Sequence, residues 1–339
     1  MAAKVPDTKV TVGEKDVETA LGGTLGCIRA ELDMDGVSSA SVEVIGAYDV
    51  AAHSLDGTLS GSLLPGSKIE IQLGYVGDKS KVFAGYVDSI ELEADQDISY
   101  IMRIHAADVV KLMKENRNVR ILTEKKHSDV FDTVLGSYSW TGTTSSCDDT
   151  DAYDKDKCWY QDESDYDFVM RELVKRCPND REFYVSNGTA YYKEPKSDTE
   201  VMTVNSDSEV FRIRAVKSFL NRTVKIYGNS SGYEVYTGSS DAAADSISSG
   251  AEKGCEAYAD PDGDSQDMVD GIASAMASKL GRQTKRIEVL VAGDPKLLTG
   301  AYVKVSELDA VWNGTYRIRR AVHRCDEEGY QTEMTLEGS

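Results

Sequence analysis

The sequence predicts a mainly β protein carrying an α+β insertion, with two similar small β-barrels flanking the inserted block. Three observations carry that expectation. Polar and apolar residues alternate at period two through KIEIQLGY (68–75), Ser89–Ala94 and Tyr100–Ile104, and again through four segments near the end, 285–291, 301–306, 314–323 and 329–336. Helical spacing replaces that alternation in the middle of the chain. A short phrase is also spelled twice: LLPGSKIEI at 63–71 returns as LLTGAYVKV at 297–305. At 339 residues the chain is long enough for two or three domains. We place them at 1–106 (first barrel), 107–205 (inserted α+β domain) and 206–339 (second barrel, with a long polar loop at 229–266).

Residues 9–105 read as short strands, with Gly77-Asp78-Lys79-Ser80 as a turn between two of them. The character changes near 106. Ala107–Met113 reads as helix, as does His127–Leu135, for which Ser128 or Asp129 is the expected N-cap. SSCDDTDAYDKDKC at 145–158 is a polar surface loop. ESDYDFVMRELVKRC then makes an amphipathic helix. Ser164 caps it, Asp165 and Asp167 favour its first turn, and Pro178 stops it. Tyr166, Val169, Leu173 and Cys177 form its buried stripe. A hairpin follows, with Phe183–Val185 and Ala190–Tyr192 flanking an Asn187-Gly188 turn. Strands return at Phe211–Arg214 and Arg222–Tyr227. Residues 229–266, rich in Ser, Gly, Asp and Ala, read as loop. Met268, Ile272, Met276 and Leu280 mark a last helix with Gly281 at its end.

The echo extends past nine residues. Gly66, a strand, Phe83-Ala84-Gly85, a strand, then Tyr100 is one series. Gly300, a strand, Trp312-Asn313-Gly314, a strand, then Tyr330 is the other. We assign the glycines to positive φ or close backbone approach at strand corners, and Phe83 and Trp312 to plugging one end of each barrel. Two readings stay open at this level. Alternation and turn glycines are common enough for two meanders to match by chance. Alternatively, one barrel is used twice, and three such chains then display six like barrels in a ring.

Hydrophobic residues are 40% and charged residues 28%, ordinary for a globular chain. The net charge of −20 and the lack of a Lys/Arg-rich window argue against binding a nucleic-acid backbone through a basic groove. The bland reading of that acidity is solubility. MAAKVPDTKV has no apolar core of a secretory signal, and no stretch approaches the roughly 18 apolar residues of a membrane helix, so synthesis and assembly in a cytoplasm are expected. The six cysteines, Cys27, Cys147, Cys158, Cys177, Cys255 and Cys325, lack C-x-x-C spacing, so free thiols rather than a zinc site are expected; Cys147 and Cys158 flank an acidic loop and would pair under oxidising conditions. Neither the acids Asp148, Asp149, Asp151, Asp154 and Asp156 nor Asp260–Asp264 matches an EF-hand loop. No H-E-x-x-H, G-x-S-x-G or Walker A motif is present. His323 follows a strand of apolar alternation and reads as a packed core histidine, and Glu163 and Asp165 as helix-start residues. No catalytic residue, cofactor or metal is expected.

Taken in order, these residues resemble the phage late control gene D family, the baseplate hub of contractile tails, and the related hub portion of VgrG in type VI secretion. The carrying segments are Ile69–Tyr75, Phe83–Val87, Tyr160–Phe168 with Arg171 and Leu173, the hairpin Phe183–Val185 to Tyr191–Lys193, Asn313–Ile318 to His323, and Gly329–Thr332. The resemblance implies tube-protein-like barrels and a homotrimer that adapts a hexameric tail tube to a trimeric spike. It also implies contacts with baseplate wedge and tape-measure proteins, and a place in a virion or tail-like particle. Because the chain stops near the end of the second barrel, a separate spike protein is expected. Three chains would carry 3 × −20 = −60, and acid facing the lumen would let DNA pass without sticking. The alternatives are a baseplate-associated cell-wall hydrolase using two acids, and a calcium-binding adhesin.

Overall fold

The computed structural model describes residues 5–55, 63–94, 100–124, 126–150, 158–196, 199–205, 208, 210–229, 235–243, 248 and 250–338. The first unit contains β1 (Pro6–Val12), β2 (Lys15–Asp16), the short helix α1 (Val17–Leu21), β3 (Thr24–Asp33), β4 (Ser39–Ile45), β5 (Tyr48–Asp49), β6 (Ser54–Leu55), β7 (Lys68–Tyr75), β8 (Asp78–Ala94) and β9 (Tyr100–Ala107). Alternation works here as expected: Ile69, Ile71 and Leu73 of β7 are buried while Lys68 and Glu70 face out.

The insertion follows. Its elements are α2 (Val109–Glu115), β10 (Arg117–Leu122), α3 (His127–Gly136), β11 (Thr144–Cys147), β12 (Trp159–Ser164), α4 (Asp165–Phe168), β13 (Glu182–Ser186) and β14 (Thr189–Lys193). Ser164 caps α4, accepting from the Asp167 amide at 3.0 Å. The helix continues as a wider π-wound segment through Val169–Lys175, still burying Val169 and Leu173. α3 is not capped by Ser128 or Asp129. It begins at His127, and Lys126 stands at the cap position with no side-chain bond. Ser128 instead turns inward, its amide bonded to Thr150 Oγ1 at 3.2 Å. Asn187-Gly188 closes β13 and β14 as the sequence predicts, with Ser186 opposite Thr189. Phe131, Phe168, Trp159 and Tyr192 anchor a separate core for this block.

The remaining elements are β15 (Glu200–Val204), β16 (Val210–Lys217), β17 (Asn221–Tyr227), β18 (Thr237–Ala243), β19 (Gly254–Ala259), α5 (Gln266–Arg282), β20 (Lys285–Ala292), β21 (Tyr302–Val305), β22 (Gly314–Asp326) and β23 (Gly329–Gly338). The expectation of a loop over 229–266 is overturned at Thr237–Ala243 and Gly254–Ala259, while 230–234, 244–247 and 249 lie outside the described residues. β17, β18 and β19 form a three-stranded sheet with α5 packed on it, around Val224, Ile226, Val269 and Ile272. Small polar residues hide these strands from period-two reading, because TGSSDAA offers almost no apolar contrast. α5 also runs past Gly281 to Arg282.

Eleven strands follow one path, β16-β20-β23-β22-β3-β4-β9-β8-β7-β1-β2, and β21 and β15 branch from β22 to complete a thirteen-stranded sheet. No closed barrel is present among the described residues; the expected pair of barrels is instead two halves of one open sheet over a shared core.

Candidate assembly interface

The strand order reads as the same six-strand series twice: β3-β4-β9-β8-β7-β1 and β16-β20-β23-β22-β21-β15. The register makes the match residue by residue. In the first unit Val87 faces Ala106 and Ser89 faces His105, with a bulge at Asp88; in the second Ile318 faces Leu336 and Arg320 faces Thr335, with a bulge at Arg319. The strands before them carry a bulge too, between Leu25 and Ile28 in β3 and between Val210 and Arg212 in β16. That alignment lays Ile28-Arg29-Ala30 of β3 on Ile213-Arg214-Ala215 of β16, an identity of three residues that the reading of 63–71 against 297–305 misses. One difference stands out: β1 runs antiparallel to β7, whereas β15 runs parallel to β21.

The two LL-x-G phrases are the same turn. Gly66 has φ +90° and Gly300 φ +87°. The Ser67 amide bonds Leu64 O at 3.0 Å, and the Ala301 amide bonds Leu298 O at 3.2 Å. Positive φ at the third residue makes both type II turns, which is why glycine stands there. Each turn then clamps the bulged strand: Gly66 N to Val87 O at 2.7 Å, and Gly300 N to Ile318 O at 2.9 Å. The aromatic-x-Gly part of the echo needs correction. Phe83 and Gly85 stand opposite Ile71 and Ile69, whereas Gly314 stands opposite Val305, which makes Phe83 the counterpart of Gly314 and Gly85 that of Tyr316. Phe83 is buried in the shared core, but Trp312 lies half-buried before β22, its carbonyl accepting from Tyr316 Oη at 2.7 Å. Tyr316 packs into that same shared core instead.

The insertion seats on both bulges, with opposite charge. On the first unit Lys111 reaches Asp88. On the second, Glu182 is buried among Arg317, Arg319 and Arg282, and Glu337 and Asp180 complete the cluster. The Arg317 guanidinium lies between the rings of Tyr184 and Tyr302, 5.1 and 5.8 Å from their centroids. Burial pushes the Glu337 carboxyl up against the pull of Arg319. None of this is legible in the sequence, where six charges are scattered over more than 150 positions.

His323 sits at the seam between the halves, opposite Ala30. It is fully buried, with Nε2 3.0 Å from Leu297 O and Nδ1 2.8 Å from Tyr330 Oη. Burial lowers its pKa to about 4, so the ring is neutral and donates through Nε2. A core role, not a base, is what that geometry supports. Asp165 begins α4 and also does more: buried, it accepts from Tyr138 Oη, Asn118, Arg120 and Gln161. Glu163 pairs with Arg171 at 2.7 Å. Asp149 is tied to Lys126, and Asp148 accepts from the Glu194 amide; Asp151, Asp154 and Asp156 lie outside the described residues. Asp260 caps the turn at Asp262. Among the described residues no group of His, Cys, Asp or Glu is arranged to hold a metal ion, and no helix is long and apolar enough to cross a membrane.

Among the described residues, two of the open strand edges of the large sheet are duplicates of edges that pair inside it. β16 ends the sheet, bonded only to β20, and shows Phe211, Ile213 and Val216 to solvent. The second half of β8 is bonded to β9 on one side only and exposes Leu92.

Residues 3–230 match the family described as the Alg8 N-terminal domain. The chain belongs to that family. The Alg8 N-terminal domain match ends just past β17, so β20–β23 lie beyond it. No curated protein matches the chain. Among solved structures, a tail protein from Neisseria meningitidis superposes with TM-score 0.71 at 11% identity, covering 99% of this chain and 97% of that one. The 43 kDa tail protein of prophage MuSo2 from Shewanella oneidensis gives TM-score 0.68 at 13% identity, covering 98% of each. An E. coli type VI secretion component, described as similar to T4 bacteriophage tail proteins, gives 0.62 at 9% identity over 98% of this chain and 77% of that one. The fold of this Alg8 N-terminal domain family member is therefore that of phage tail proteins.

Proposed function

We propose that the chain is the structural baseplate hub of a contractile phage tail or tail-like injection particle, of the late control gene D kind. Three copies would form a symmetry adaptor between a hexameric tube and a trimeric spike, with wedge and tape-measure proteins as further neighbours. The supporting observation is the duplication: two six-strand units in one order and one register, within one chain. Three such chains present six equivalent units to a sixfold tube while keeping a threefold face for a spike. In this reading the chain is passive, and its work is done by interfaces rather than by a catalytic pair. Light scattering of the purified chain, alone and with a tube protein encoded beside it, tests the proposal. A species of three times 37.1 kDa that caps tube ends supports it; a monomer that binds no tube protein overturns it.

A further inference from the structure

We propose that the open edge of β8 pairs antiparallel with the open edge of β16 in a second copy of this chain, in the register already used inside the molecule by β22 and β3. The inference rests on the trimeric reading and specifies its joint. Inside the chain, the second half of β22 pairs with β3: Arg320 faces Asp33, Ala321 Leu32, Val322 Glu31, His323 Ala30, Arg324 Arg29 and Cys325 Ile28. β8 is the duplicate of β22 and β16 the duplicate of β3, as their shared bulges and shared pairing with β9/β23 and β4/β20 establish. The internal joint thus uses one edge of each kind, and the molecule retains one spare edge of each kind. A head-to-tail contact between copies uses both and repeats the pairing already made inside the chain.

Transferring the internal register onto the spare edges sets Glu91 opposite Val216, Leu92 opposite Ala215, Glu93 opposite Arg214 and Ala94 opposite Ile213. The chemistry fits this transfer in two ways. First, the β8 edge is acidic, with Asp88, Glu91 and Glu93, and the β16 edge is basic, with Arg212, Arg214 and Lys217. Glu93 therefore meets Arg214, a favourable cross-strand pair. Second, burial differs where the joint is made and where it is not. Ile28 and His323 are 0% exposed, but their duplicates Ile213 and Leu92 are 37% and 45% exposed. Apolar residues on a long free edge are a liability unless a strand covers them.

The test is a cysteine pair. The full chain carries Glu93→Cys with Arg214→Cys, in a background where the exposed Cys158 and Cys255 are Ser. Directly opposed strand positions have Cβ separations that a disulfide spans. Mild oxidation is expected to give a covalent ladder that ends at three chains, at least tenfold more than the register-shifted pair Ser89→Cys with Arg214→Cys. Glu93→Arg and Arg214→Glu singly should each reduce association, and the two together restore it; melting curves confirm that each variant is folded. A trimer by light scattering without the cross-link overturns this joint but leaves the hub reading intact. Cross-linking that stops at two or runs past three overturns the threefold reading instead. No association at any attainable concentration overturns this joint, and if the chain also binds no tube protein it overturns the hub reading as well.

Discussion

The two units of this molecule share a backbone and differ in what they are asked to touch. Where the insertion seats and at the seam, the second unit is the more buried of the two, whereas at the outer strand the order reverses, with Ile28 of β3 buried and Ile213 of β16 exposed. The second unit's bulge carries Arg319 in a cluster around Glu182, where the first unit's bulge carries Asp88 with a half-exposed Lys111. Its type II turn is covered by Tyr184, where the first unit's turn is open. Its seam strand carries a buried histidine, where the first carries exposed Leu92. Duplicated strand pairing therefore fixes geometry, and the neighbours of each copy select its side chains. The internal joint shows the finished state of an edge, and β8 and β16 show that edge uncovered.

The comparison can be broken at each of these pairs. Glu182→Gln removes the acid at the centre of the second seat and leaves buried Arg317 and Arg319 undercompensated; we expect a loss of about 3–5 kcal/mol in urea unfolding. Lys111→Met at the first seat should cost less than about 1 kcal/mol, because that pair is solvated. Equal losses would show that the insertion grips both halves alike.

Gly300→Ala meets two penalties. Its φ of +87° disfavours a side chain, and a Cβ would lie 2.4 Å from Tyr184 Oη. We expect about 3 kcal/mol, from backbone and overpacking costs together. Gly66→Ala meets only the first, since nothing lies within 4 Å of its Cβ, and should cost about 1 kcal/mol. Denaturant midpoints for the two variants give the answer directly.

The His323 ring binds its proton more weakly folded than unfolded, so its stabilising contribution is complete above the unfolded value of 6.5 and fades as pH falls towards 4. From pH 7 to pH 5 this group alone removes about 2 kcal/mol. His323→Gln should flatten that part of the pH profile, whereas Leu92→Gln, at the duplicate position, should leave it unchanged. The smallest effect on the isolated chain belongs to the free edges: Leu92→Gln and Ile213→Thr should each shift stability by under about 0.5 kcal/mol, while weakening self-association.

Much of the architecture was legible. KIEIQLGY, the Ser164 cap and the Asn187-Gly188 hairpin work locally, through side-chain alternation and turn chemistry that act over a few residues. The phrase LL-x-G twice raised duplication as one of two readings, because a type II turn demands glycine wherever it recurs and meanders can also match by chance. What failed did so for reasons of contrast or distance. TGSSDAA hides a strand, and Trp312-Asn313-Gly314 mimics Phe83-Ala84-Gly85 by spelling while standing two residues out of register.

Sequence alone determined the period of strands with apolar contrast such as KIEIQLGY and the turns that require glycine, since these depend on neighbours within a few positions. Only the tertiary structure decided that the repeats share one open sheet, that Glu182 gathers arginines from distant strands, and that one edge of each kind is left over. Those outcomes depend on which surfaces meet after the chain has folded back over more than 200 residues, a separation that no local pattern encodes.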